Sequence, residues 1–75
     1  MDASLVERYK LLGLNVSYYR HKCGLTQEQL AEMVNVDRTH IGNLELARRG
    51  VSLDVIFYVA DALEVPVCKL FEFRD

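Results

Sequence analysis

Proline is almost missing from this 75-residue chain, with Pro66 the sole example, and glycine occupies only four positions. So few chain breakers, together with a balanced composition, exclude a disordered segment and favour a globular, helical one. Cysteine is scarce as well. Cys23 and Cys68 stand far apart, and the opening "MDASLVERYK" lacks a signal peptide's apolar stretch, so reduced thiols are the expected state. Even with His21 and His40 added, these cysteines lack the spacing of a zinc site, and no metal is expected. No apolar run approaches the roughly 18 residues of a membrane span, so a soluble, cytoplasmic domain with no membrane partner is expected. Also missing are a nucleophile–base–acid constellation, a phosphate-binding glycine loop and a carboxylate pair set in a cleft. Catalysis, a cofactor and a small-molecule ligand are therefore not expected.

Charge of one sign is lacking too, since the net value is −2, which argues against a non-specific nucleic-acid coat. The distribution is uneven. Residues 20–50 hold five bases (Arg20, Lys22, Arg38, Arg48, Arg49) against four acids (Glu28, Glu32, Asp37, Glu45). Residues 51–75 hold two bases (Lys69, Arg74) against five acids (Asp54, Asp61, Glu64, Glu72, Asp75). The acid collects at the C-terminal end, leaving room for a local basic face in the middle. What is abundant is apolar residue, 51% of the chain. At this length a single domain buries only about 60% of its unfolded surface, so self-association would help its stability.

The apolar spacing is helical throughout. Leu5, Tyr9, Leu12, Val16 and Tyr19 recur every three or four residues, and Gly24 is placed to end that helix in the left-handed conformation. Thr26 with Gln29 forms a capping-box signature for a second helix whose apolar face reads Leu30, Met33 and Val34. Asn35 tolerates positive φ and suits a tight turn. Asp37 then stands as the N-cap of a third helix with Ile41 and Leu44 inward. Ser52 caps a fourth, with Val55, Ile56, Val59, Ala60 and Leu63 inward, and Pro66 opens a fifth that reaches about Phe71. The expectation is a compact all-α domain of five helices spanning residues 1–75, although the terminal "LFEFRD" also alternates as a short edge strand would.

The stretch "VDRTHIGNLE", residues 36–45, asks for more than packing. It places Arg38, Thr39 and His40 in a first helical turn and Gly42 mid-helix, where glycine costs about 1 kcal/mol relative to alanine. The second and third helices are separated by a few residues around Asn35, and the small Ala31 lies where two helices would cross closely. This is the mechanical requirement of a helix-turn-helix: a positioning helix, a tight turn, and a helix offered to the DNA major groove.

The run "GLTQEQLAEMVNVDRTHIGNLE" resembles the helix-turn-helix of the Cro and phage-repressor type, found in many small bacterial regulators. The likeness continues through "SLDVIFYVADALEVPVCKLF" and covers about residues 12–71, with the helix-turn-helix at about 26–46 and helices four and five at about 52–71. It implies a lambda-repressor-like fold that binds double-stranded DNA as a sequence-specific transcriptional regulator. "DRTHIGNLE" after "TQEQLA" is similar to the recognition helices of restriction–modification controllers. By the same resemblance Arg38, Thr39 and Asn43 occupy base-reading positions, and Thr26, Gln27 and His40 occupy phosphate-contact positions. Gln27 would also brace the recognition helix, and Arg20 and Glu45 match the family's partly buried ion pair.

Residue chemistry supports some of these roles more than others. The Arg38 fork can bind guanine O6 and N7 together, worth about 1–3 kcal/mol of discrimination. Thr39 suits a thymine methyl or a phosphate. Asn43 suits adenine, but also suits plain solvation, and His40 suits a local cap as well as a phosphate. Arg48 and Arg49 fit either a backbone contact or a solvated basic loop. The chain departs from the family pattern at Leu46 and Ala47, where a polar residue and glycine are usual. Alanine resists positive φ, so the third helix is expected to run on there, and Leu46 cannot donate to a phosphate.

Two-fold dimers of such domains read half-sites about 34 Å apart. A homodimer on an inverted repeat is therefore expected, with Val65, Val67, Leu70, Phe71 and Phe73 as the contact surface. The alternative reading is a protein-interaction module such as an antitoxin that also binds DNA. An antitoxin would usually need an extra segment to cover its toxin.

Overall fold

A computed structural model describes residues 1–73 and is all-α. A 3-10 turn at Ala3–Leu5 leads into α1 (Val6–Lys22), followed by α2 (Gln27–Val34), α3 (Arg38–Glu45) and α4 (Leu53–Leu63). A second 3-10 segment at Val67–Phe71 closes the described chain. The described residues thus form four α-helices, and the fifth expected helix is a five-residue 3-10 segment. Pro66 precedes it with an extended ψ of 138° instead of occupying a first helical turn. The segment is held from outside, because Asn15 Nδ2 donates to the carbonyls of Leu70 (2.9 Å) and Glu72 (3.2 Å). No strand forms among the described residues; positions 74 and 75 of the expected edge lie outside them.

Local chemistry explains the helix boundaries. Gly24 at φ +72° ends α1, as its φ freedom allows, with the amides of Cys23, Gly24 and Leu25 returning to the carbonyls of Tyr19, His21 and Arg20. At α2 the capping box is complete: the Gln29 amide donates to Thr26 Oγ1 (3.0 Å), and the Thr26 amide donates to Gln29 Oε1 (2.8 Å). Asn35 takes φ 59°, and the Val36 amide returns to the Ala31 carbonyl at 3.0 Å, so only residues 35–37 separate α2 from α3. Asp37 is the N-cap of α3 without a side-chain cap bond, whereas Ser52 Oγ accepts from the Val55 amide at 3.2 Å.

The core gathers Leu12 and Val16 of α1, Leu30, Ala31 and Val34 of α2, Ile41 and Leu44 of α3, and Ile56, Val59, Ala60 and Leu63 of α4. Each large aliphatic chain so buried contributes about 1.5–3 kcal/mol. Met33 was expected on this face but is exposed, and Ala31 takes its place. Leu30, Ala31 and Val34 form the buried stripe of this eight-residue helix, and Met33 falls roughly a quarter turn to its side. Leu70 is 0% exposed and completes the core from the C-terminal segment.

Gly13 sets how closely α1 meets α3. A Cβ at this position would stand 2.5 Å from the carbonyl oxygens of both Leu44 and Glu45. Backbone therefore lies against backbone where α1 crosses the end of α3.

Candidate nucleic-acid interface

The phase of α3 follows from what it buries. Ile41, Leu44 and Glu45 face the domain, so at 3.6 residues per turn Thr39, Asn43 and Leu46 lie on the outward side with Gly42 at its edge, while Arg38 stands at the N-terminal tip of the helix. Arg38, Thr39 and Leu46 are exposed, and Asn43 is half-buried. Of the three expected base-reading residues, Thr39 and Asn43 share the outward side of α3, and Arg38 is exposed at the helix tip.

A buried polar cluster pins the end of that helix. Arg20 is 7% exposed and Glu45 8%. Arg20 Nε donates to Glu45 Oε2 at 2.6 Å and Nη2 donates to Oε1 at 3.0 Å, while Nη1 donates to the Leu25 carbonyl at 2.8 Å. This bidentate geometry satisfies the fork and carboxylate that α1 and α3 bury together. Gln27, the first residue of α2, joins through Nε2, which donates to Glu45 Oε1 at 3.0 Å. Its other end lies over α3, since Gln27 Oε1 is 3.9 Å from the place a Gly42 Cβ would take. One carboxylate thus ties three elements, the α1 end, the α2 start and the α3 end. The link from Gln27 to Glu45 spans 18 residues, and no local sequence signal announces it.

The remaining expected phosphate contacts fall unevenly. Thr26 is exposed at the α2 N-terminus, where its hydroxyl accepts the cap bond and keeps its own proton to donate. His40 differs from expectation. Its ring is half-buried and Nε2 is enclosed without a partner among the described residues, so that nitrogen does not face a phosphate.

The segment after α3 also departs from expectation. The helix stops at Glu45, and Ala47 adopts φ 55° with its methyl buried. The Arg48 amide then donates to the Asn43 carbonyl at 2.9 Å, folding the chain back on the helix end. Burial of the methyl offsets the left-handed strain of roughly 1 kcal/mol or more that alanine accepts there. Arg48 and Arg49 are exposed just beyond.

The expected dimer set needs correction. Leu70 is core, and Val65, Val67 and Phe73 pack against the core, which leaves only Phe71 exposed among the five. A short C-terminal segment closing a small domain uses most of its apolar side chains internally. Leu53 and Phe57, one turn apart on α4, are also exposed. Leu53 and Phe71 line a groove with Tyr9, Val51 and Ile56.

Cys23 and Cys68 are free thiols, and among the described residues no three potential metal ligands converge. No described helix is long and apolar enough to cross a membrane.

Known proteins share this arrangement. The control protein C.SmaI of Serratia marcescens is 39% identical over 69 residues, which span 92% of this chain and 82% of that one. The crystal structure of the restriction-modification controller C.AhdI from Aeromonas hydrophila superposes with a TM-score of 0.82 at 35% identity, covering 84% of this chain and 96% of that one. A hypothetical transcription factor from Neisseria, NHTF, superposes with a TM-score of 0.84 at 30% identity, covering 88% and 76%. Residues 16–70 match the helix-turn-helix family, a span that holds the whole Arg20–Gln27–Glu45 cluster and the outward side of α3, and the chain belongs to that family.

Proposed function

We propose that this protein is a sequence-specific DNA-binding transcriptional regulator that inserts α3 into the major groove and acts as a homodimer on an inverted-repeat operator. The observation that carries the reading is the exposed tip and outward side of α3, with Arg38 at the tip and Thr39 and Asn43 along the side, while the buried Arg20–Glu45–Gln27 cluster holds the helix end. A free side chain reads bases well only if the backbone beneath it is fixed. Thr26 and the free N–H of Gln27 are the phosphate donors at the start of α2, with Arg48 and Arg49 serving the backbone beyond α3.

The likeness to C.SmaI and C.AhdI supports a controller of a restriction–modification operon. Dimerisation uses the α4 side, through Leu53, Phe57 and Phe71. The net charge of −2 does not oppose this role, because affinity depends on phosphates contacted locally and the acids are concentrated after residue 50.

Selection of bound duplexes from a random pool tests the proposal. Wild-type protein should recover an inverted repeat, and Arg38→Ala should relax one position in each half-site at a cost of about 1–3 kcal/mol. Failure to recover any motif at moderate salt would refute sequence-specific regulation.

A further inference from the structure

We infer that Leu46 is a specificity contact, an apolar side chain that reads a thymine methyl group at the far end of the recognition surface. The inference rests on the DNA-binding role proposed above and extends it to a residue outside the polar reading set. Leu46 is 58% exposed. It is the C-cap of α3, and its amide still donates to the Gly42 carbonyl at 3.1 Å, so it keeps its place on the last turn of the helix. It is seven residues beyond Thr39 and three beyond Asn43, which puts all three on the side opposite Ile41 and Leu44.

Gly42, between them at the edge of that side, has no side chain to hold the helix away from the groove floor. Arg48 and Arg49 follow at once, both exposed, so the helix end that bears Leu46 also carries the charges that draw it to the phosphates. Seven residues of helix rise about 10 Å, which corresponds to about three base-pair steps from the base read by Thr39. The major-groove edges of the bases offer hydrogen-bonding groups and a single apolar one, the C5 methyl of thymine. An isobutyl group, which can neither donate nor accept, has that one partner there.

The test uses the duplex that wild-type protein selects from a random pool, with each thymidine replaced singly by deoxyuridine, a change that removes only the methyl. For wild type, one replacement per half-site should weaken binding about fourfold, as expected for one buried methyl. Leu46→Ala should bind the parent duplex several-fold more weakly and show no further loss on that same replacement. The inference is overturned if Leu46→Ala keeps the full deoxyuridine penalty, or if no replacement affects wild type. It is also overturned if the substitution alters the association state in sedimentation, which would assign Leu46 to a protein contact. Recovery of no motif by wild type would instead remove the DNA-binding role itself, and this inference with it.

Discussion

Replacing Gly13 with alanine sets two physical effects against each other. Helix propensity alone predicts a gain, since alanine in the interior of α1 is better than glycine by about 1 kcal/mol. Packing predicts a loss. The new methyl would lie 2.5 Å from the carbonyl oxygens of Leu44 and Glu45 and 2.8 Å from the Glu45 carbonyl carbon, all of them backbone atoms. None can swing aside as a side chain would. Ordinary contact requires α1 and α3 to part by nearly 1 Å, at the residue that also receives Arg20 Nε at 2.6 Å. Overpacking against backbone that cannot swing aside falls at the upper end of the usual range, about 3 kcal/mol, so after the propensity gain we expect a net loss of about 2 kcal/mol. At about 4–8 °C per kcal/mol for a domain of this size, the melting temperature should fall by roughly 10 °C. Thermal and urea unfolding followed by circular dichroism measure this directly. A Gly13→Ala protein as stable as wild type, or more so, would refute the close crossing of α1 and α3.

Gly42→Ala should do the opposite, because its Cβ would meet only Gln27 Oε1 at 3.9 Å; we expect a gain of up to about 1 kcal/mol in the same unfolding experiment. Glu45→Ala should cost about 3–5 kcal/mol by leaving Arg20 buried without its carboxylate. A loss under 1 kcal/mol in urea titration would show that the cluster does not hold α3. At the N-terminus, the amide and hydroxyl of Ser4 donate to Asp2 and hold its carboxyl below the usual aspartate range. The stabilisation these bonds provide is fully present above the unfolded carboxylate pKa and is lost as pH falls through the lowered value. NMR titration should therefore show the Asp2 midpoint rising in Ser4→Ala; an unchanged midpoint would count against the hydroxyl's part in this turn.

Some of this protein was legible from residue order, because the responsible interactions span a few positions. Thr26 and Gln29 announce the α2 cap three residues apart, and Asn35 announces the turn by its own tolerance of positive φ. The inward sides of α1 and α4 follow from one period, and Arg38 and Thr39 stand out because a packing helix has no use for them at its tip. Ala47 illustrates the reverse. Local preference argues against positive φ at alanine, yet the residue adopts it because the fold needs the turn there and buries the methyl.

Composition, periodicity and capping chemistry by themselves determined an all-α chain with two short helices joined by a tight turn and a polar helix tip. Only the tertiary structure decided what those helices rest on. Gly13 against the end of α3, Gln27 on Glu45, Leu70 in the core and Met33 outside it all depend on which distant segments meet. A helical period tells which residues share a side, but the width of the buried part of that side depends on how closely the neighbours approach. At Gly13 that distance was decided by a missing side chain, which hydrophobic patterning does not record.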